Sequence, residues 1–590
     1  MSQSFDVDNP STDNVMQILE TMDMSEHQNS SVSGAKALKQ KKRALFLTKR
    51  GEKFSNSGEH AKAAKLYFKA WQLDENNLET IKCLAHALNY IGARSKALEL
   101  FEKVLDRRPN DPDVASMLGQ IALDLQMWEQ AAALNRIYIS AAPGKILGYN
   151  NLATALRHLE RFDEAISFLQ GVLPLFPESS ELWNILAICV TLRDGLDAAL
   201  PFYDEALRLN PKNWQISNNL AKSYNEVSDF EKVIEYGKRA VQLRPNESEC
   251  HLGLAFGLLG AGQLEQGWQE YEWRQHPSRN QSVKWAHGLK RWSGEPLQGK
   301  SIAICPEQGV GDELLFASAF NDVIKNAAQV YIGCDKRLIS LFQHSFPQSK
   351  VGGYVDKTHN GYRYRLLPFL DKADGDIDYF IEAGSLFRFY RSSLDSFATG
   401  DGSFLEAEDQ AVKDWRRKID ALGNGLKVGI CWRSGFQSAE RNVWYPQLDH
   451  WKEILGVENC HFINLQYGNT DEDIAYFEKK FGADIYVPED LDLRDDFAGA
   501  AALTKACDLV VTIAAAPSMM SFAVGTPILW LFPATPWWCF GQAPHTPIFS
   551  NCRIITPENL RDWEDVGRQA AQWLEKAALH KGPFDASFFS

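Results

Sequence analysis

Two glycines one residue apart, with acids on both sides and an apolar run behind them, stand at Glu307-Gln308-Gly309-Val310-Gly311-Asp312-Glu313-Leu314-Leu315-Phe316. Ile302-Ala303-Ile304-Cys305 before them is a short apolar strand, so the stretch reads as strand, loop and helix. Glycine at 309 and 311 permits positive φ and close approach of a ligand, and the N–H groups of a helix beginning near Asp312 favour an anion. Gln308 belongs to the same loop. Asp312, with Glu307 and Glu313 as substitutes, supplies a carboxylate for general-base work, although a carboxylate at that place also caps a helix. Arg433 and Ser434 follow a second apolar strand directly. The guanidinium fork suits a phosphate, or it closes a structural ion pair. Arg441 and Lys427 are weaker candidates for the same charge. Pro517 and Ser518 open a helix whose N–H groups either hold a phosphate or are simply capped, and Gln466 either bonds a ligand edge or ties its own loop. Leu314 and Leu315 occupy the place of a third fingerprint glycine, which argues against a nicotinamide dinucleotide.

These groups need elements to hold them. Strands are predicted at Ser301 to Cys305, Gln329 to Gly333, Asp378 to Ala383, Lys427 to Trp432, His461 to Gln466, Asp508 to Ile513 and Pro527 to Phe532, with helices between. Two such runs, parted near residues 400 to 425, imply two parallel-sheet subdomains, 301–415 and 416–590, with a cleft between them. The last helix, Asp562 to Leu579, is expected to cross back and brace the first. The apolar run from Leu509 to Phe532 is broken by Pro517, Gly525 and Pro527, so it reads as strand, helix and strand and not as a membrane span. Trp530, Phe532, Trp537, Trp538 and Phe540 either stack on a ligand or fill the core. The acids around Asp376 and Asp378, at Asp490 and Asp492, and at Asp6 and Asp8 imitate a D-x-D motif but read as solvated turn or leader acids, so no metal is expected.

Ahead of the sheets, from Ala44, the chain repeats every 34 residues. Small residues recur at Gly51, Ala85, Gly119, Ala153, Ala187, Ala221 and Ala255, and again at Ala63, Ala97, Ala131, Ala165 and Ala199 before loosening to Val233 and Gly267. Prolines close the units at Pro109, Pro143, Pro177, Pro211 and Pro245. The period resembles the tetratricopeptide repeat: seven helix pairs within residues 36–275, a protein-binding α-superhelix. Asn150, Asn151, Asn184, Asn218 and Asn219 fall at related places on first helices, where they either bond an extended peptide or pair between helices. A fragment from Ala44 to about Pro277 is expected to fold alone. Residues 276–300, dense in Trp285 and Trp292, form a packed junction. Residues 1–35, rich in Ser, Asn and Asp, read as a disordered leader without a signal peptide. The basic run Lys39, Lys41, Lys42, Arg43 reads as the solvated side of a starting helix.

At 590 residues the chain needs about three or four domain-sized units. A net charge of −14 argues against a nucleic-acid partner. Ten scattered cysteines without a C-x-x-C suit reduced thiols in a cytoplasm.

Glu307 to Glu313, Val428-Gly429-Ile430-Cys431-Trp432-Arg433-Ser434-Gly435 and Asn464-Leu465-Gln466-Tyr467-Gly468 together resemble bacterial TPR-fused glycosyltransferases of the two-Rossmann GT-B type, related to the heptosyltransferases. They are most similar to those that attach nonulosonic acids such as pseudaminic acid to flagellin. The resemblance spans Ala44 to the end. It implies an α + α/β chain and a cytoplasmic, metal-independent, inverting enzyme without a resident cofactor. A nucleotide sugar, a CMP-nonulosonate, would be its co-substrate, and flagellin, held by the repeats, its acceptor. By the same resemblance Asp312 is the base. Thr512-Ile513-Ala514-Ala515-Ala516-Pro517-Ser518-Met519-Met520 lacks the acid and histidine of the heptosyltransferase donor loop. That departure argues against ADP-heptose and leaves two alternatives open, a TPR adaptor with a degenerate transferase domain or a transferase acting on lipid or polysaccharide.

Overall fold

The computed structural model describes residues 34–277, 279, 282–359, 362–373, 375–397, 402–434 and 445–590, in two compact units that divide after Leu209. Residues 1–33 of the expected leader and Arg441 lie outside the described residues, and the leader's last two residues open the first helix.

The first unit is a series of helix pairs: α1 Gly34–Asn56 with α2 His60–Leu73, α3 Leu78–Tyr90 with α4 Arg94–Arg107, α5 Pro112–Asp124 with α6 Trp128–Ala141, α7 Ile146–His158 with α8 Phe162–Val172, and α9 Ser180–Asp194 with α10 Leu196–Leu209. The small positions do what their period implies. Ala63, Ala85, Ala97, Ala131, Ala153, Ala165, Ala187 and Ala199 are fully buried between helices, and a Cβ on Gly119 would sit 2.8 Å from Asn135 Nδ2. Side-chain caps start some of the helices: Asn77 Oδ1 accepts the Thr80 N–H before α3, Asp111 Oδ1 that of Val114 before α5, and Ser179 Oγ that of Leu182 before α9. The prolines follow the second helices, where no further N–H is needed.

The second unit opens with two more pairs, α11 Trp214–Glu226 with α12 Phe230–Leu243 and α13 Ser248–Gly260 with α14 Leu264–Tyr271. The second of these pairs shares a core with the α/β part of the chain. Leu259, Leu264 and Trp268 belong to the same buried cluster as Ile302, Phe316 and Phe387, Trp268 Nε1 donates to the Arg391 carbonyl at 2.9 Å, and Phe256 meets Trp537. A fragment cut near Pro277 would expose this apolar face.

The remaining strands are β1 Val283–Trp285, β2 Lys290–Arg291, β3 Ser301–Cys305, β4 Gln329–Cys334, β5 Lys350–Gly353, β6 Val355–His359, β7 Tyr362–Leu366, β8 Tyr379–Glu382, β9 Leu426–Cys431, β10 Cys460–Asn464, β11 Ile485–Tyr486, β12 Leu509–Ile513, β13 Ile528–Leu531 and β14 Cys552–Ile555. One parallel sheet runs β2-β8-β3-β4-β5 and a second β11-β10-β9-β12-β13-β14. The junction is therefore structured: β2 edges the first sheet, and β1 joins β7 and β6 in a small third one. All seven expected strands are present. The helices that accompany the sheets include α15 Val310–Phe316 after β3, α16 Asp409–Asp420, α17 Asp471–Phe481, α18 Phe497–Ala506, α19 Ala516–Val524 after β12, and α20 Trp563–Leu579. The last was expected to brace the first sheet. Instead Trp563, Val566, Ala570 and Leu574 pack with Val428, Val511 and Leu529 on the second, where a terminal amphipathic helix covers the nearest uncovered apolar face.

Candidate functional site

A cavity of about 950 Å³ opens at the carboxyl ends of both sheets, where ligands of parallel α/β sheets bind. The loop after β3 brings Gly309, Val310, Gly311 and Asp312 to it, and that after β4 brings Arg337. The loops after β9, β10, β11 and β12 bring Arg433 and Ser434, Tyr467 to Asn469, Arg494, and Ala514 to Pro517. Leu315, Phe497, Met519, Met520, Trp530 and Trp538 give the rest of the wall its apolar character.

Asp312 lies in the first turn of α15 with its side chain exposed at the cavity. Gly309, which precedes the helix, is extended at φ −135° and ψ 153°, and neither it nor Gly311 has positive φ. The expected left-handed loop is not what the glycines provide. A Cβ on Gly311 would first meet Met519 at 3.9 Å, so glycine here keeps the wall between the two helix starts open.

Glu307 and Glu313 do not share the cavity. Glu307 is buried, with Oε1 2.7 Å from Arg274 Nη2 and accepting the Gly384 N–H at 2.7 Å. Arg274 also pairs with Glu272, which pairs with Arg291, which pairs with Glu382. Burial opposes the charge on Glu272, but Arg274 and Arg291 overcome it and hold that carboxyl down at about 2. Glu313 points to the other side of α15 and accepts the Asp335 N–H at 2.8 Å, while its Oε1 has no partner among the described residues. Burial pushes its carboxyl up to about 8. A helix turns 100° per residue, so the adjacent acids Asp312 and Glu313 face different surroundings and only Asp312 meets the cavity, while Glu307, in the loop before the helix, is turned to Arg274.

Arg433 lines the cavity but already has partners: its Nε lies 2.7 Å from Asp473 Oδ2 on α17, and Nη2 donates to the Asn469 carbonyl at 2.5 Å. Ser434 beside it is buried at the wall. Gln466 does not reach the cavity. Its Oε1 accepts the N–H groups of Trp432 and Arg433 at 3.2 and 2.9 Å, so it ties the loop that presents Arg433. Gln308 is half-buried outside the lining. Lys427 is buried at the opposite end of β9, its Nζ spent on the carbonyls of Gly423 and Gly425.

The start of α19 offers fewer donors than expected. Pro517 has no N–H, the Ala515 N–H donates to Ser518 Oγ at 3.3 Å, and the Ser518 N–H donates to the Ala515 carbonyl at 3.0 Å. Ser518 itself is buried, its hydroxyl donating back to Ala515 O at 2.6 Å. Of the aromatics, Trp530 and Trp538 reach the cavity, while Trp537 and Phe540 pack on Trp268 and Phe532 on Trp530.

Two cations were missed. Arg337 is held by both oxygens of Asp335, at 2.9 and 3.0 Å, lies over Phe497, and donates across to the Arg494 carbonyl at 3.1 Å. Arg494 is exposed, and no carboxylate among the described residues lies within ion-pair distance of it. Nothing in the sequence links positions 157 residues apart, so only the fold brings these two together.

The asparagines divide. Asn151 is buried, bonded to Gln120 at 3.4 Å; Asn150 and Asn184 are half-buried on α7 and α9. On α11, Asn219 is half-buried, and Asn218 is buried with Oδ1 unpartnered among the described residues. Among the described residues no group of three His, Cys, Asp or Glu is placed to share a metal, and no helix is long and apolar enough to cross a membrane.

Fold and site together define a repeat protein whose helix pairs precede two parallel α/β sheets with a strand-end cavity between them. Models of the tetratricopeptide repeat match residues 84–146 and 148–175. The chain is 30% identical to Protein FlbA of Caulobacter vibrioides over 528 residues, 88% of each chain, and it belongs to that family. It is also 22% identical to BBSome complex member BBS4 of Bos taurus, over 40% of this chain and 50% of that one. Among solved structures, MamA from Desulfovibrio magneticus RS-1 covers 29% of this chain and 97% of its own at 20% identity, with a TM-score of 0.28.

Proposed function

We propose that the cavity is the active site of a GT-B glycosyltransferase, which moves a sugar from a nucleotide donor to a Ser or Thr hydroxyl of a protein held by the repeats, in the cytoplasm. The observation that carries this is the meeting of one exposed carboxylate, Asp312, with arginines from both sheets in a cavity at their carboxyl ends. Asp312 takes the acceptor's proton as that oxygen attacks the anomeric carbon. The bond to the leaving phosphate breaks on the opposite face, and the cations stabilise the charge that develops there. The configuration inverts. A CMP-nonulosonate donor and a flagellin acceptor follow from the resemblance to flagellin transferases. An adaptor without catalysis is the second reading, favoured by the capped start of α19 and by the Asp473 partner of Arg433.

Intact-mass analysis of purified flagellin, with the protein and a CMP-nonulosonate, tests it. Asp312→Asn should lower transfer by about two orders of magnitude or more, while melting temperature and acceptor binding hold, because the side chain is exposed. Wild-type protein that retains the acceptor but adds no mass would decide for the adaptor.

A further inference from the structure

The basic run at the start of the repeats shares its helix with apolar residues that nothing covers among the described residues. On α1, Leu38, Leu45 and Phe46 are 58, 50 and 64% exposed, and Lys42 and Lys49, also exposed, lie between them at helical spacing. The opposite side of α1 is buried, with Thr48 Oγ1 2.9 Å from Thr80 Oγ1 and Gly51 under the Tyr67 ring. First helices of later pairs have a second helix ahead of them to pack on, α2 for α3 and α6 for α7. Among the described residues α1 has none. The outermost face of a repeat stack has to be polar or capped, and this one is apolar and open. Its cations are not spent either: Lys39, Lys41, Lys42, Arg43, Lys49 and Arg50 have no carboxylate within ion-pair distance among the described residues.

We propose that residues 13–24 of the same chain dock on this face as a helix. The segment lies outside the described residues, and its sequence complements the face in shape and charge. Val15, Ile18, Leu19 and Met22 recur at i, i+3, i+4 and i+7, one stripe of a helix, with Ser11, Thr12 and Asp13 ahead of them as cap residues. Residues 1–33 hold six Asp and Glu and no Lys or Arg. Val15 to Met22 would span about 10 Å of helix axis and Leu38 to Phe46 spans about 12 Å, so the two stripes match in length. Residues 25–33 reach about 30 Å when extended, enough to turn the segment back along α1. So short a stripe does not hold a helix alone in water, but a ready apolar surface with opposite charge lets it order there. The tether also raises its local concentration to about the millimolar range, an advantage that a separate acidic partner lacks.

Hydrogen exchange on the full chain reads the contact. Amides of residues 15–24 should exchange about tenfold or more slowly than in a free peptide of the same sequence. Lys42→Glu with Lys49→Glu should remove that protection while the amides of α2 to α4 keep theirs, and adding Glu20→Lys with Asp23→Lys should restore it. Ile18→Asp with Leu19→Asp, which alters no described residue, should remove it as well. Exchange at the free-peptide rate in wild type overturns the proposal. So does protection that survives either pair of substitutions, or a loss that the opposite charges do not restore. Protection that grows with protein concentration, alongside a doubled mass in sedimentation, makes the occupant a second copy and overturns docking within one chain. If the segment is unprotected and wild type instead floats with phosphatidylglycerol vesicles, and Lys42→Glu with Lys49→Glu abolishes the flotation, the face belongs to a membrane surface and the proposal falls.

Discussion

Two helices begin at the same cavity from opposite sheets, and their first turns are built differently. The start of α15 has an extended glycine before it, no side-chain cap, and an exposed carboxylate at Asp312. The start of α19 is closed on itself by Ser518, with Pro517 in place of a donor and no charge of its own. The first sheet therefore presents the acid, and the second presents cations from other loops, Arg433 and Arg494. An anion site does not require a free helix N-terminus where guanidinium groups take over the role. Reactivity along the loop and first turn of α15 is graded in the same way: of the three acids between Glu307 and Glu313, two are structural and one is offered to the cavity.

The sharpest test of that grading is Glu307→Ala. It leaves Arg274 buried beside a lost partner and also strips the Gly384 N–H of its acceptor, so unfolding free energy should fall by about 3 kcal/mol. Denaturant melts read it. The same measurement on Asp312→Asn should show almost no change, and equal losses from the two would abolish the distinction between them.

Glu313 gives the next largest effect, and its sign is fixed by burial. The folded carboxyl is held up at about 8, above the ordinary value of about 4.3. Between those values the unfolded chain gives up a proton that the folded chain keeps. Stability should therefore fall as pH rises from about 4.3 to about 8, by at most about 1.4 kcal/mol per pH unit, and be unaffected by this group below that window. Glu313→Gln keeps an acceptor for the Asp335 N–H and removes the ionisation, so its melts should lose that slope and gain on wild type toward pH 8. Parallel pH profiles for the two proteins would show that Glu313 is charged in the fold.

Much of the scaffold was legible because its physics is local. Small residues every 34 positions dictate close helix pairs, and apolar runs such as Leu509 to Ile513 dictate buried strands. The strands that escaped carry weak local signals. β1, β2 and β11 have two or three residues, β5 ends on Gly352 and Gly353, β6 sets Asp356 beside Lys357, β7 alternates Tyr with Arg, and β14 is four residues broken by Arg553. In the site, position along the strand was enough for Asp312 and Arg433. It was not enough for Glu307, whose partner Arg274 comes from the end of the repeats, or for Gln466, whose role depends on where the β9 loop turns. Arg337 and Arg494 became a pair only through the juxtaposition of two sheets.

The smallest effect bears directly on the difference between the two helix starts. Ser518→Ala deletes the hydroxyl that accepts the Ala515 N–H and donates to its carbonyl. Loss of an N-terminal side-chain bond of this kind costs about 1 kcal/mol, so a slight fall in melting temperature is expected. The consequence for binding is the more telling part. If α19 contributes nothing to the anion beyond its shape, nucleotide affinity should stay at the wild-type level, or tighten slightly because the Ala515 N–H is released toward the cavity. If Ser518 were itself a phosphate ligand, affinity would drop by about tenfold, the worth of a hydrogen bond to a charged group. Calorimetry with CMP separates these outcomes. A tenfold loss at unchanged melting temperature would give α19 the anion-binding role that its internal bonds now deny it.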